Sequence, residues 1–352
     1  MDKVFMAGNE AFAEAAIRAG CRYYFGYPIT PQNEIPEYMS KRLPEVGGVY
    51  LQAESEVAAI NMVFGAAGAG ARAMTSSSSP GISLMQEGIS YMVGAQLPCV
   101  IVNIMRGGPG LGGIQPSQSD YFQATKGGGH GDYHLLVLAP HTMQEAVNLT
   151  IEAFGLADKY RHPVMVLGDG YMGQMMEPVE FEQTAPKEPP QKDWALTGAR
   201  DRSPNVVKSL YLDPTVLEKH NLAINRKIQE IIKNEVRVEN YLTDDAEVII
   251  AAYGTVARIA KTAIKTLREK GLKVGMIRPI TVFPFPYEAF EKAAEEVDKF
   301  LVVEMSLGQM VEDVKLGICG KAKARFYGRT GGMVPSYDEI VTQTEKLFKE
   351  GG

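Results

Sequence analysis

The chain has 352 residues, of which 45% are hydrophobic and 22% are charged, and its formal net charge is −6 at pH 7. This composition is typical of a globular protein, and the length predicts two domains. The negative charge gives no electrostatic basis for binding nucleic acid or an anionic membrane surface. No stretch approaches the ~18 apolar residues of a membrane span. The start, MDKVFMAGNEAF, has no signal-peptide pattern, so we expect a cytoplasmic protein.

The first 176 residues alternate short apolar runs with helical segments rich in small residues. The predicted strands are CRYYFGYP, GVYLQAE, ARAMTSSSS, PCVIVNIMR, YHLLVLAP and HPVMVLGDG. The predicted helices are GNEAFAEAAIRAG, a segment from about Ser55, a segment from about Pro80, and TMQEAVNLTIEAFGLADKY. This alternation predicts a doubly wound α/β domain over residues 1–176, with functional groups in the loops at the carboxyl ends of the strands.

The remainder of the chain divides into a linker with a helical arm, residues 177–244, and a second α/β domain, residues 245–352. EPVEFEQTAPKEPPQKDW is rich in proline and charge, as surface linkers are. Asp213 and Pro214 then predict the start of a helix, which we expect to pack across the protein or onto a partner. The last segment repeats strand, glycine turn and helix.

Three cysteines, Cys21, Cys99 and Cys319, lie far apart and form no CxxC pair. A disulfide framework is therefore disfavoured, and neither an iron–sulfur cluster nor a structural zinc site can be built from this chain alone. Free cysteines are usually buried, so we expect three free thiols in the core.

Three predicted strand ends carry conspicuous residues. In GYPITPQNEI, two prolines stiffen the loop that presents Thr30. In RGGPGLGG, Arg106 follows a buried strand and suits bidentate binding of a carboxylate or phosphate; a mobile loop with a solvated arginine is the alternative. The glycine spacing there does not match a dinucleotide-binding fingerprint. In AESEVAAI, Glu56 lies at a helix start, where an acid can simply complement the helix dipole.

Two further segments border these loops. Residues Ala66–Ala71 are all glycine or alanine, so we expect this helix to be approached closely by a partner surface or a flat cofactor. TSSSSPG, Thr75–Gly81, either caps a helix or presents hydroxyl donors to a ligand.

Two further motifs resemble metal sites, but the evidence for a functional role is weaker than for the strand-end residues. The GDG around Asp169 has no asparagine in the window near residues 193–200, where a magnesium–diphosphate site of a thiamine enzyme would place one. A strand-terminal turn is therefore favoured. His130, Asp132 and His134 alternate and could share one face of a strand. With no fourth ligand in view, surface or hydrogen-bonded histidines are favoured, and we expect no metal ligand in this chain.

Taken in order, YPITP, SEVAAI, SSPGISLM and RGGPGLG resemble the alpha chain of 2-oxoacid:ferredoxin oxidoreductases, which are thiamine-diphosphate enzymes. VARIAKTAIKTLREKGLKVGMIRPITVFPFP similarly resembles the transketolase carboxyl-terminal-like domain of that chain, so the resemblance covers essentially the whole length. It implies a pyrimidine-type thiamine-diphosphate-binding fold over residues 1–176 and a transketolase C-terminal-like α/β domain over residues 245–352.

The resemblance also implies roles for five residues. Glu56 would be catalytic and would hydrogen-bond the aminopyrimidine ring of the cofactor, favouring its imino tautomer. Thr30 and Arg106 would bind the 2-oxoacid, with Arg106 clamping its carboxylate. Tyr27 and Pro28 would bind the cofactor from the same loop as Thr30. Burial disfavours a charged Glu56 and a helix N-terminus favours it, so the sequence leaves its protonation state open.

The chain lacks a diphosphate–magnesium half-site and a cysteine cluster, and an enzyme that reduces ferredoxin needs both. The resemblance therefore implies a beta subunit with Mg2+ and the diphosphate, a ferredoxin-like subunit with iron–sulfur [4Fe-4S] clusters, and a gamma subunit. The implied reaction converts a 2-oxoacid and coenzyme A to acyl-CoA and CO2 while reducing ferredoxin.

The segment GGPGLGGIQPSQSDYF is most similar to the branched-chain type, which acts on 3-methyl-2-oxobutanoate, also called 2-oxoisovalerate. Four alternatives stay open at this point. They are the same chemistry on 2-oxoglutarate, the same chemistry on pyruvate, a non-redox thiamine decarboxylase or transketolase-like component, and a non-catalytic scaffold subunit.

Overall fold

The computed structural model describes residues 3–181 and 190–349. Its strands are β1 (Val4–Ala7), β2 (Tyr23–Gly26), β3 (Val49–Gln52), β4 (Ala73–Ser77), β5 (Cys99–Met105), β6 (Leu136–Leu138), β7 (Pro163–Asp169), β8 (Met176–Val179), β9 (Val238–Tyr241), β10 (Val248–Ala251), β11 (Val274–Pro279), β12 (Thr281–Phe283), β13 (Lys299–Glu304) and β14 (Lys323–Gly328). Its helices are α1 (Gly8–Arg18), α2 (Glu34–Glu45), α3 (Glu56–Gly68), α4 (Ser79–Gly94), α5 (Tyr121–Thr125), α6 (Met143–Tyr160), α7 (Gly170–Gln174), α8 (Pro214–Asn234), α9 (Gly254–Glu269), α10 (Tyr287–Ala293), α11 (Met310–Gly317) and α12 (Tyr337–Lys349).

The first sheet has seven strands in the order β12-β6-β7-β5-β4-β2-β3, and every neighbouring pair is parallel except β12 with β6. Strand β5 is buried throughout. Val100 and Val102 face a core built with α1, α2 and α6, whereas Cys99 and Ile101 face a core built with α3 and α4. A strand covered on both faces reads as a continuous apolar run. The predicted doubly wound α/β fold is confirmed.

Parallel pairing brings the carboxyl ends of β2, β3, β4, β5 and β7 to one edge of this sheet. The loop Tyr27–Asn33 follows β2, and α3 begins four residues after β3. Ser78 follows β4, and Arg106 follows β5. The segments that the sequence marks as functional therefore meet at one edge, where ligands of such sheets bind.

Three short strands pair with strands outside the segment to which the sequence assigns them. Strand β8 starts at Met176 and pairs antiparallel with β1. Strand β9, within residues 177–244, joins the second sheet, whose order is β14-β13-β10-β11-β9. Strand β12, within residues 245–352, pairs with β6 and completes the first sheet. The apolar pattern of the sequence predicts none of these pairings, which interleave the two α/β units.

The linker packs on the Gly/Ala-rich segment of α3. Leu196 N donates to Gly68 O at 2.9 Å, and a Cβ on Gly70 would lie 2.9 Å from the Cβ of Ala195. At Gly68 and Gly70 the close approach is thus made by the chain's own linker, which corrects the expectation of a partner surface or a flat cofactor there. Residues 182–189 of the predicted linker lie outside the described residues.

Helix α8 begins where the sequence predicts. Asp213 Oδ1 accepts from Thr215 N at 2.8 Å and caps the helix. Ile224, Ile228 and Ile231 are buried on one face. The arm therefore packs across the protein itself.

Two of the three cysteines lie in the core. Cys21 and Cys99 are buried, and burial raises the pKa of the Cys21 thiol to about 12. Cys319 is exposed, so the expectation of a third core thiol is wrong. No helix within residues 3–181 and 190–349 has the length and apolar content to span a bilayer.

An ion-pair network centred on Arg278 joins the two units. Arg278, on β11, is 2% exposed, and its Nη1 and Nη2 donate to the carboxylate of Glu145 on α6 at 3.0 and 2.9 Å. Its Nε donates to Glu239 on β9 at 2.6 Å. Burial acts to raise the pKa of Glu145, but contacts with His141 and Arg278 outweigh burial and lower that pKa to about 2.

We expect Arg278→Met to lower the free energy of unfolding by about 3–5 kcal/mol, because two partly buried carboxylates lose their shared cation. Urea denaturation of the purified chain measures the loss. The control is Arg268→Met, which removes a more exposed pair with Asp245 and should cost about 0–1 kcal/mol. Equal losses in the two variants would show that the network does not join the units energetically.

The same network predicts a pH dependence. The pKa of Glu145 is lower in the folded protein, at about 2, than the ordinary value of 4.5. Its contribution to stability is therefore complete above the ordinary value and is lost as the pH falls towards 2. We expect the stability of Arg278→Met to fall less steeply than that of the wild type across this window, as measured by urea denaturation at a series of pH values.

Candidate active site

The side chain of Arg106 connects two loops. It is 8% exposed; its Nη1 donates to Thr30 O at 2.9 Å and its Nη2 donates to Leu111 O at 3.0 Å. Its Nε is buried and has no hydrogen-bond partner within the described protein. The alternative of a solvated arginine is therefore wrong. The guanidinium lies between the YPITP loop and the Gly-rich loop.

A buried polar network fixes the YPITP loop from below. Gln32 is fully buried, and its Oε1 accepts from Ser76 Oγ at 2.5 Å. The Tyr24 hydroxyl lies 2.7 Å from the same Ser76 oxygen. The loop is thus held by β2 and β4 beneath it and by Arg106 beside it. Thr30 itself is exposed, so its hydroxyl is available at the end of a rigid support.

The first residue of α4 links the strand end of β5 to the segment before α5. Ser79 Oγ donates to Asp120 Oδ2 at 2.6 Å and accepts from Arg106 N at 3.0 Å. Asn103 Nδ2 also donates to Asp120 Oδ2, at 3.0 Å. Burial raises the pKa of Asp120, and the two hydrogen bonds act against that rise. This network positions the backbone of Arg106.

Glu56 is the first residue of α3 and is 5% exposed. The helix is capped by Ser55, whose Oγ accepts from Ala58 N at 3.2 Å. A Cβ on Gly81 would lie 2.6 Å from Glu56 Oε1 and 2.0 Å from Ser77 Oγ. The carboxyl group and the hydroxyl are therefore neighbours over the first turn of α4, and only glycine at position 81 leaves room for both.

Three buried hydroxyl groups at the end of β4, those of Thr75, Ser77 and Ser78, have no hydrogen-bond partner among the described residues, and Ser77 lies beside Glu56. Ser78 is the N-cap of α4, yet its side chain makes no capping hydrogen bond. Since buried polar groups are nearly always satisfied, such a cluster indicates a missing partner. For TSSSSPG this arrangement favours hydroxyls that face a ligand over helix capping.

A cavity of about 620 Å³ opens beside Thr30. It is lined by the YPITP loop and the start of α2, by the end of the Gly-rich loop, and by α7. Thr30 contacts Arg106, and Arg106 contacts the turn of α4 that also faces Glu56. The structure thus brings these three predicted residues to one edge of the sheet. Tyr27 and Pro28 are exposed in the same loop.

The metal-like motifs have structural roles. Asp169 caps α7, with its Oδ1 accepting from Tyr171 N at 2.9 Å and from Met172 N at 3.1 Å, so the predicted strand-terminal turn is confirmed. His134 Nδ1 lies 2.8 Å from Thr125 O, while His130 is exposed, so hydrogen-bonded and surface histidines are confirmed. Over residues 3–181 and 190–349, no cluster of three or more His, Cys, Asp or Glu could hold a metal ion.

Gly128 and Gly129 pack against α4, whereas Gly127 has a positive φ of 94°. A Cβ on Gly128 would lie 2.4 Å from Gln86 Cδ, and one on Gly129 would lie 2.7 Å from Gln86 O. Close approach to helix α4 explains Gly128 and Gly129, and the left-handed backbone explains Gly127.

Sequence reasoning missed the residues that support the site, in particular Asn103, Asp120 and Gln32. One signal was present for Asn103, because it is the single polar residue inside the apolar run PCVIVNIM. A polar side chain inside a strand buried on both faces needs a specific partner. The partner, Asp120, lies 17 residues further along, and no local pattern connects the two.

Two family models match the chain. "Pyruvate flavodoxin/ferredoxin oxidoreductase, thiamine diP-bdg" matches residues 14–253, and "Pyruvate:ferredoxin oxidoreductase core domain II" matches residues 246–340. Among solved structures, a split-gene transketolase has the same fold, with a TM-score of 0.60 and 12% identity over 98% of both chains. These matches confirm an α/β chain with a thiamine-diphosphate-binding domain and transketolase-like neighbours.

The chain belongs to the 2-oxoacid:ferredoxin oxidoreductase family and is a subunit of an oxidoreductase acting on oxo groups. Ketoisovalerate oxidoreductase subunits VorB of Methanothermobacter marburgensis and Methanothermobacter thermautotrophicus are 49% and 52% identical, over 97% of this chain and 97% and 96% of theirs. The 2-oxoglutarate synthase subunit KorA of M. thermautotrophicus is 38% identical over 98% of this chain and 99% of its own.

One solved structure of an enzyme with a related name is also similar to this chain. The 2-oxoglutarate:ferredoxin oxidoreductase from Magnetococcus marinus, with 2-oxoglutarate, coenzyme A and succinyl-CoA bound, matches with a TM-score of 0.85 and 26% identity. The match covers 98% of this chain and 65% of that one, so this chain spans about two thirds of that protein's length.

We expect Gly81→Ala to lower the turnover of the enzyme assembly by about 100-fold, because the added Cβ displaces Glu56 or Ser77 by the order of 1 Å. The measurement is 2-oxoacid-dependent reduction of a viologen dye. The control is Gly155→Ala on α6, where an added Cβ meets nothing within 4 Å. Wild-type turnover in Gly81→Ala would show that this contact does not matter for the chemistry.

Proposed function

We propose that this chain forms the pyrimidine side of a thiamine-diphosphate site and that its assembly oxidises 3-methyl-2-oxobutanoate. The balanced reaction is 2-oxoacid anion plus coenzyme A plus two oxidised ferredoxins, giving acyl-CoA, CO2, two reduced ferredoxins and one proton from the coenzyme A thiol. The higher identity to the ketoisovalerate subunits than to the 2-oxoglutarate synthase subunit supports the branched-chain substrate.

The buried cation at Arg106 carries the proposal. Its hydrogen bonds in the described protein go to two carbonyl groups, and its Nε has no partner. A buried charge is costly unless an opposite charge accompanies it. A substrate carboxylate at this strand end would compensate the charge and could accept from the guanidinium as a charge-assisted acceptor.

Glu56, the Ser77 hydroxyl beside it and the Ser78 hydroxyl that follows would fit an aminopyrimidine ring. Such a ring carries both donor and acceptor nitrogens, and Ser77 and Ser78 offer hydroxyl groups that can serve either role. Thiamine diphosphate, when bound, supplies an electron sink for the cleavage of the carbon–carboxylate bond. Glu56 would hold a proton at a ring nitrogen and so select the tautomer that can act as a base.

Thr30 would meet the oxo or carboxylate oxygens of the substrate. Its carbonyl is held by Arg106, so its backbone is ordered before substrate binds. The entropy of ordering is therefore not lost during binding. Tyr27 and Pro28, in the same loop, would lie against the cofactor.

The rest of the site would come from partner subunits. Val57 on α3 and Leu84 on α4 are 44% and 53% exposed next to the residues that surround Glu56. A partner subunit docked on this side of α3 and α4 would bury both side chains. We propose that a beta subunit covers them and carries the diphosphate and Mg2+. A ferredoxin-like subunit would carry the [4Fe-4S] clusters beside a gamma subunit.

We expect Glu56→Gln to lower turnover by ~2–3 orders of magnitude with the assembly intact, because an amide cannot exchange the required proton. Viologen reduction gives the rate, and size-exclusion chromatography reports assembly. The control is Glu54→Gln, an exposed acid two residues earlier. Wild-type turnover in Glu56→Gln would remove Glu56 from the mechanism.

The substrate is tested by steady-state kinetics of the purified assembly with pyruvate, 2-oxoglutarate, 3-methyl-2-oxobutanoate and indolepyruvate. We expect the largest kcat/KM for 3-methyl-2-oxobutanoate, together with the brown absorbance of iron–sulfur clusters. A larger kcat/KM for another acid would refute the substrate, and a colourless assembly would favour a non-redox decarboxylase.

A further inference from the structure

The cavity beside Thr30 is lined by apolar residues, by neutral polar residues such as Asn33, Gln115 and Gln174, and by one acid. Ile114, Tyr171 and Met175 contribute to its lining, and Glu34 is the single charged side chain among the described residues that line it. Ile114 is 56% exposed and so presents its side chain openly. The apolar residues favour contact with an uncharged aliphatic group, and the neutral polar residues add no charge. A lone acid disfavours a carboxylate.

The carboxylate of Glu34 is held in place by neutral groups. Its Oε2 accepts from Asn9 Nδ2 at 2.6 Å and from Gln174 Nε2 at 3.0 Å. Amide donors fix the orientation of a carboxylate and leave its negative charge in place. A second carboxylate that entered the cavity would therefore meet a positioned negative charge and no lining cation.

Arg106 sets the position of this cavity relative to the reaction. Its Nη1 holds Thr30 and its Nη2 holds Leu111, three residues before Ile114. One guanidinium thus fixes the spacing between the proposed oxoacid contact and the loop that carries the apolar wall. Thr30 also lines the cavity, so a substrate that contacts Thr30 would lie at its edge.

We propose that this cavity takes the side chain of the 2-oxoacid, with Ile114 as its apolar wall and Glu34 as the group that excludes a second carboxylate. The assignment rests on the proposed function and deepens it. At about 620 Å³ the cavity is much larger than an isopropyl group. Selection against 2-oxoglutarate therefore works by charge rather than by size, and longer aliphatic 2-oxoacids are accepted.

The first test uses Ile114→Lys in the complete subunit assembly. A cation in the lining should raise the ratio of kcat/KM for 2-oxoglutarate to that for 3-methyl-2-oxobutanoate by about 100-fold, since pairing a charged substrate group gives large discrimination. Ile114→Leu keeps the wall apolar and should hold the ratio within about threefold. Leu316→Lys, an exposed site on α11, is the control for adding a lysine.

The second test uses Glu34→Gln, which keeps an oxygen to accept the two amide hydrogen bonds and removes the charge. We expect the same ratio to rise about 10-fold, because like-charge repulsion is lost. If Ile114→Lys fails to assemble, the result for the isosteric variant Glu34→Gln alone tests the proposal. If the kcat/KM ratio stays at the wild-type value in an active assembly, the cavity does not bind the substrate side chain, and the proposed function is unaffected. A wild-type assembly without activity on any 2-oxoacid would instead overturn the proposed function.

Discussion

A single buried guanidinium, that of Arg106, sets the geometry of this edge of the sheet. It bonds the carbonyl groups of Thr30 and Leu111, and its own backbone is held by Ser79. Folding must remove this cation from water without a bonded carboxylate in return, which is unfavourable. The structure therefore keeps a site in a state that an incoming anion would stabilise. This one side chain joins the YPITP loop to the Gly-rich loop, and the first turn of α4 in turn holds its backbone.

The second constraint is that residue 81 must be glycine, which has no Cβ. Because Gly81 has no Cβ, Glu56 and Ser77 can approach each other over the start of α4. Helix α3 places Glu56 from one side, strand β4 places Ser77 from below, and α4 closes the third side. Rigid elements position such groups more accurately than loops do. The catalytic candidate thus stands on strands and helices, whereas the substrate candidates, Thr30 and Arg106, lie at loops braced from beneath.

Local patterns in the sequence predicted six of the seven strands of the first sheet and the helices α1, α3, α4 and α6, because a strand covered on both faces must be apolar throughout, as β5 is. They predicted neither strand β12 nor helix α2. They also predicted that Thr30, Glu56 and Arg106 follow strands. They did not predict that Arg106 bonds carbonyls, that Asn103 meets Asp120, or that the linker packs on Gly68 and Gly70. Those contacts join residues that are far apart in sequence, so they cannot be predicted from periodicity or from turn residues. The resemblance to a family supplied the chemistry, and folding physics alone would not have done so.

Strand β12 bears on how the chain is made. It is the last strand of the first sheet to leave the ribosome and lies more than 100 residues after β7. Until it arrives, β6 is an open edge made of three buried aliphatic residues, Leu136–Leu138. Bare apolar edges recruit other strands. A first unit that lacks β12, whether nascent or truncated, is therefore prone to pair with strands of other molecules. Because β12 covers the edge of β6, the first sheet is complete only after this part of the second unit has been synthesised.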